Sequence, residues 1–198
     1  MLEVRGPTLT LRPPAPEHVP GLYAIARDPE VTRWFSWGPY ASEDEPRRWV
    51  AAAAARREAG DRLELVVERE GVPLGVTTLM ELAPRDRRAM VGTWLGREHW
   101  GTGVNAESKA LILHLAFETL GLQRAGAYSE VRHERSQRAL EKVGFRREGV
   151  LRAWHRHADG PHDVVIFGLL RDDWHSDVAV DVRGEPPAAW LRPAAPPS

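Results

Sequence analysis

The residues Trp100-Gly101-Thr102-Gly103-Val104-Asn105 form a glycine turn between a strand-like run and a helical run, and such a turn can hold an anion. Successive backbone N–H groups, backed by the positive end of a helix dipole, would point at the bound charge. Glycine lets the backbone approach a phosphate closely and adopt positive φ. No Gly-Lys-Ser/Thr follows, which disfavours a nucleoside-triphosphate loop. Read on through Ala106, the turn also fits G-x-G-x-x-G/A, and Glu118 or Glu130 can be imagined as the ribose-binding acid. A dinucleotide fold, however, wants this motif after the first strand of a βαβ unit. Here it follows an antiparallel run near mid-chain. A glycine turn without a ligand is the third reading.

Other reactive groups narrow the chemistry further. The chain has no cysteine, so disulfides, thiolate metal sites and a cysteine nucleophile are excluded. His155, His157 and His162 cluster in sequence without acidic companions of the HExxH kind, and no metal site is expected. Glu107, at the start of the helical run, is expected to stabilise its dipole.

The elements that must position the turn follow from periodicity and punctuation. Thr8–Arg12 alternates like a strand and is stopped by prolines. A helix over Glu17–Arg27 leads to a short helix and loop at Asp28–Tyr40. Ser42 and Glu45 make a capping-box pattern before an alanine-rich helix that runs to Glu58 and stops at Gly60. Leu63–Glu68, Val72–Leu82 and Arg88–Leu95 are strand-like with short links, as antiparallel neighbours require. After the glycine turn, Ala110, Leu113, Phe117 and Leu120 give a helix over Ala106–Leu120 one buried stripe. A strand at Ala125–Val131, a short helix at Arg135–Val143 and a hairpin of Phe145–Arg156 with Asp163–Leu170 complete the order β-α-α-βββ-α-β-α-ββ. The hairpin is expected to turn at Asp159-Gly160.

Composition sets the outer bounds. At 198 residues with 42% hydrophobic content, the chain suits one α/β domain with a proper core. Lys+Arg 27 against Asp+Glu 28 leaves a net charge of -1, unlike the basic excess of a dedicated nucleic-acid binder. No apolar run approaches a membrane span, and the charged start lacks a secretory core, so a cytoplasmic protein without membrane or nucleic-acid partners is expected. Asparagine occurs only at Asn105 and glutamine only at Gln123 and Gln137, a scarcity expected of a thermophile or of a GC-rich genome.

Val91–Lys109, VGTWLGREHWGTGVNAESK, resembles the acetyl-CoA-binding segment of the GNAT acetyltransferases, and more narrowly the branch of the ribosomal-protein N-terminal acetyltransferases (RimJ/RimL type). A second block, His133–Phe145, resembles that branch's Asn-x-x-Ser-x-x-x-Leu-x-x-x-Gly-Phe signature, in the family's order and spacing. The resemblance implies an α/β fold with a mixed sheet, the GNAT-type acyl-CoA N-acyltransferase fold, whose central strands splay where Thr93–Leu95 parts from Ala125–Val131. It implies acetyl-CoA as co-substrate, with Gly101, Thr102, Gly103, Val104 and Asn105 donating backbone contacts to the pyrophosphate. Thr93, Trp94 and Leu95 would pair with the amide-rich pantetheine arm as an added strand. Two departures stand out. Trp100 occupies a position where many members carry Arg or Gln, and His133 replaces the signature Asn near the pantetheine.

The resemblance also carries roles. Ser136 matches a serine placed to protonate the CoA sulfur; otherwise it is a first-turn serine bonded to backbone. His155 matches a position where some ribosomal-protein acetyltransferases have a Glu proposed as general base. A histidine suits that task, because its ordinary pKa is near 6.5 and an α-amine's is about 8. Otherwise it is an ordinary polar strand residue. Trp34, Phe35, Trp37 and Tyr40 lie in a loop that walls the acceptor site in the family, with core packing as the alternative for part of the set. The expectation is an N-acetyltransferase domain over residues 1–174 and a Pro/Ala-rich tail over 175–198, mobile from about Gly184, the enzyme acting on a protein or peptide N-terminus and able to form a homodimer. Small-amine transfer (amino acid, polyamine or aminoglycoside) and a non-catalytic acyl-CoA sensor are the rival readings.

Overall fold

A computed structural model describes residues 2–191. Among these described residues nine strands form one sheet. In chain order these are β1 (Glu3–Arg5), β2 (Thr10–Arg12), β3 (Arg62–Arg69), β4 (Val72–Ala83), β5 (Arg88–Leu95), β6 (Arg124–Glu130), β7 (Arg146–His157), β8 (Gly160–Leu170) and β9 (Asp181–Arg183). They lie in the order β7-β8-β6-β5-β4-β3-β2-β1-β9. Every pair is antiparallel except β5 with β6. The α-helices among the described residues are α1 (Val19–Ala26), α2 (Pro29–Thr32), α3 (Asp44–Ala59), α4 (Val104–His114) and α5 (Glu134–Glu141). The expected mixed-sheet fold is present, meander included.

Alternation along β3 shows how the two faces are covered. Leu63, Leu65 and Val67 point into the larger core with α4, while Val66 packs with Val19 and Leu22 of α1 and Val50 of α3. Glu64 and Glu68 share the second face, and each is held by an arginine. Arg56 Nε donates to Glu64 Oε1 at 2.9 Å, and Arg12 Nε pairs with Glu68 Oε1 at 2.9 Å. His18 Nε2 also sits 3.2 Å from Glu68 Oε2. Helix α3 ends where expected, because Gly60 takes the left-handed conformation at φ 81°. At its start the expected box is not formed as such: the N-cap is Glu43, not Ser42, no side chain caps the helix, and Glu45 Oε1 reaches back to the Ala41 N–H at 2.7 Å and the Ser42 N–H at 3.4 Å.

The parallel pair matters most for function. β5 and β6 share register only at Arg88–Met90 with Arg124–Gly126. Beyond that point the strands part, and Thr93–Leu95 has no ladder partner on the β6 side. The helix expected from Ala106 to Leu120 instead starts at Val104 and gives way to a π-helical turn over Leu115–Thr119. The hairpin turn lies at Ala158-Asp159, with Gly160 already paired to His157.

The sheet and core extend past the expected boundary at 174. β9 pairs antiparallel with β1 through Val4↔Val182. Trp174 packs on Phe117 with ring centroids 5.5 Å apart, and Trp190 is 3% exposed within the larger core. This segment helps explain why Leu111, Ile112 and Leu113 are all buried: α4 is covered on more than its sheet side. The mobile tail expected from Gly184 is therefore corrected as far as Trp190, and its remainder lies outside the described residues.

Candidate active site

The splay between β5 and β6 opens a cleft whose floor and walls come from four elements. Thr93, Trp94 and Leu95 supply the unpaired edge of β5. Thr77 Oγ1 lies 3.0 Å from Thr93 Oγ1 and donates to the Gly92 carbonyl at 3.2 Å, which ties that edge to β4. The polypeptide then turns through Trp100 and the glycines into α4, and α5 closes the far wall with His133, Arg135, Ser136 and Ala139. Val31 and Phe35 close the mouth.

The turn has the features an anion site requires. Gly101 and Gly103 have φ of 78° and 92°, which only glycine adopts without strain. A Cβ built at either would meet no atom within 4 Å, so the backbone there faces open space. Gly103 is the N-cap of α4, and no side chain caps the helix. The first N–H groups of α4 are thus left for a ligand. Thr102 Oγ1 donates to the His99 carbonyl at 2.8 Å and stiffens the turn. Glu107 does more than complement the dipole. Its Oε1 accepts the Thr8 and Leu9 N–H groups at 2.8 and 2.9 Å, clamping the β1–β2 turn against α4. A phosphate-bearing acyl carrier with an extended, amide-rich arm fits this cradle and edge.

Of the expected contacts, Thr93, Trp94, Leu95, Trp100, Gly101, Asn105 and His133 line the cleft, as does Ser136. Thr102, Gly103 and Val104 shape the turn without lining it, and Val104 is buried in the core. His133 N-caps α5 and stacks on Trp34, with centroids 5.2 Å apart and planes 19° apart. Burial pushes its pKa down to about 4, helped by the positive charge of Arg135. The imidazole is neutral, and among the described residues its buried Nε2 has no hydrogen-bond partner. The aromatic set is not dispersed into the core. Phe35 reaches the cleft, and Trp37 bridges Phe35, Tyr40 and Trp94 at 5.3 to 5.5 Å.

His155 does not line the cleft. It sits on β7 beside Tyr128 of β6, ring edge to face at 5.8 Å. Tyr128 Oη donates to Glu81 Oε2 of β4 at 3.2 Å, and burial, then the Glu81 charge, raises the tyrosine pKa. Both Glu81 and Ala153 have positive φ, 52° and 50°, at bulges that redirect β4 and β7. Sequence reading missed the Glu81–Tyr128 pair, since its members are 47 positions apart.

It also missed two cations in the cleft, Lys109 and Arg135. Lys109 is 6% exposed; its Nζ donates to Asn105 Oδ1 at 3.2 Å, and burial pushes its pKa down to about 8. The Arg135 guanidinium carbon lies 3.4 Å from the centroid of the Trp100 ring. The i, i+4 spacing of Asn105 and Lys109 was the available signal for the first.

On the β7–β8 hairpin, His157, Asp159 and His162 bring potential ligand atoms within 4.8 Å of one another. The two imidazoles are stacked 4.0 Å apart and only 3° from parallel, so their in-plane lone pairs do not converge. Asp159 Oδ1 is already bonded to His162 Nε2 at 2.8 Å.

An acetyltransferase (GNAT) domain model matches residues 8–146. The N-acetyltransferase YoaA of Bacillus subtilis, itself uncharacterized, is 28% identical over 165 residues, covering 82% of this chain and 93% of its own. The ribosomal-protein-serine acetyltransferase of Escherichia coli is 23% identical over 168 residues, covering 83% and 94%. Among solved structures, Mycobacterium smegmatis RimJ in complex with CoA-disulfide superposes with a TM-score of 0.78 at 20% identity, covering 86% of each chain.

Proposed function

The chain belongs to the GNAT acetyltransferase family and is an acetyl-CoA-dependent N-acetyltransferase; from that premise we propose that its acceptor is the α-amine of a protein N-terminus, of the ribosomal-protein type. The observation that carries the site reading is the split of β5 from β6 directly above an uncapped glycine turn. The acceptor reading draws on the likeness to the ribosomal-protein-serine relative.

Bound acetyl-CoA supplies an activated thioester carbonyl. The edge at Thr93–Leu95, unpaired with β6, holds the pantetheine amides in register beside neutral His133. Ser136, half-buried in the first turn of α5, delivers its hydroxyl proton to the departing sulfur. His155 takes the proton of the incoming amine on the opposite side of the split, where Tyr128 fixes its ring. An α-amine with a reference pKa of about 8 asks less of such a base than lysine at about 10.4. Trp34, Phe35, Trp37 and Tyr40 wall the acceptor entrance.

The test is thiol release from acetyl-CoA with peptides mimicking ribosomal-protein N-termini, beside amino-acid and polyamine panels. Peptide-dependent release, lowered about 10²-fold in kcat by Ser136→Ala and again by His155→Ala, is the expected outcome. Binding without release from any amine would instead support an acyl-CoA sensor.

A further inference from the structure

The protein as a whole carries a net charge of -1, yet the described residues lining the cleft include two cations and no carboxylate. Among the described residues neither cation has a carboxylate hydrogen-bond partner. Buried Lys109 bonds only the neutral Asn105 Oδ1, and the one carboxylate felt by the exposed Arg135 is Glu30, which itself pairs with Arg33. Burying the Lys109 charge without an anionic partner is costly unless a ligand completes the pairing.

Both charges are aimed at the glycine turn. A helical side chain leans towards the helix N-terminus, and Lys109 does so far enough for Nζ to reach Asn105 Oδ1 at 3.2 Å. The ammonium is therefore level with the first turn of α4 and its free N–H groups. It has two further N–H donors. Arg135 approaches from α5, flat on Trp100 at 3.4 Å, next to Gly101. Trp100 is itself anchored, its Nε1–H donating to the Leu95 carbonyl at 3.0 Å. A stacked guanidinium keeps its in-plane N–H fork free for an anion.

We propose that Lys109 and Arg135 are the side-chain ligands of the CoA diphosphate, with Arg135 replacing from α5 the phosphate contact that the indole of Trp100 cannot make. The proposal rests on the reading that the turn binds CoA. Lys109 grips from within α4 and Arg135 from across the cleft, so the diphosphate is held between two helices. Neither residue contacts the reacting atoms; they fix the carrier, and through it the thioester.

The experiment is calorimetric titration of the full chain with CoA and with 3′-dephospho-CoA, and with pantetheine by competition. The variants are Lys109→Met, Arg135→Gln and Arg135→Lys, with Arg138→Gln on the exposed side of α5 as control. Lys109→Met and Arg135→Gln should each weaken CoA and 3′-dephospho-CoA about tenfold or more and leave pantetheine unchanged. Arg135→Lys, which keeps charge but not the planar fork, should recover part of the loss, and the control should bind as wild type. Equal losses for pantetheine would mean a structural role and overturn the proposal. So would undiminished CoA binding, or a loss confined to CoA and absent with 3′-dephospho-CoA, which would move the contact to the 3′-phosphate. If the wild-type protein binds none of the three ligands, the reading of the turn itself fails, a result visible before any variant is compared.

Discussion

Lys109 shows most directly how one residue's cost and use are coupled. Its pKa of about 8 in the folded protein lies below the unfolded reference of roughly 10.4. Between those values the unfolded chain binds more protons, so stability rises with pH across that window, and below about pH 8 the full burial cost applies. Lys109→Met should therefore raise the unfolding free energy of the ligand-free protein at pH 7, by something on the order of 3 kcal/mol less the lost Asn105 bond. Denaturant titration at pH 7 and pH 10 checks this, the gap between variant and wild type narrowing at the higher pH. On its proposed role the same residue gives CoA binding a pH limb. Of the other titratable groups that line the cleft, His133 is already neutral and Arg135 stays charged. Affinity should fall as pH rises above about 8 in wild type and stay flat there in Lys109→Met. Little of this was legible in sequence beyond the i, i+4 spacing of Asn105 and Lys109. A lysine and an arginine at helix positions look like solvated surface; tertiary packing buries Lys109, while Arg135 stays exposed and lies over Trp100.

Among the elements, the turn into α4 was the most legible, because two glycines one residue apart are a local signal. Its conformation sets a sharp expectation. Gly103→Ala places a methyl in open space and so costs the free protein only the strain of a non-glycine residue at φ 92°, about 1 to 2 kcal/mol. It also fills the cradle over the helix N-terminus. Acetyl-CoA affinity should drop far more than stability, which thermal shift with and without ligand will separate. The start of α4 was misplaced by two residues, since nothing in Val104-Asn105 marks a cap when a ligand is to take that part. Strands β1 and β9 escaped notice for another reason. Each is three residues long, and periodicity needs a longer window; their pairing joins positions almost a whole chain apart. The proposed acceptor wall was legible in part. The Trp34–Tyr40 loop stood out by composition, while Glu81 and Tyr128 meet only through the order of strands β4, β5 and β6.

At the scale of the molecule, the sheet is closed by its own C-terminal segment. Trp190 sits at 3% exposure in the core with α4, and β9 covers the outer edge of β1. Trp190→Ala should cost about 3 to 5 kcal/mol. A chain ending at residue 174 should melt at a lower temperature and lose acetyl-CoA binding with it, because α4 carries both the covered face and the anion-binding turn. Calorimetry on the two variants distinguishes this from a dispensable tail, whose removal would leave both properties unchanged. Among the described residues no helix is long and apolar enough to cross a membrane.

Transfer from acetyl-CoA to a protein α-amine is decided by mass spectrometry of one peptide offered in two forms. One form has a free serine N-terminus and an internal lysine, and the other has the α-amine blocked. A single acetyl group, mapped to the N-terminal serine of the free form, is expected, with no product from the blocked form. Acetyl on the lysine side chain, or turnover with small amines alone, would contradict it.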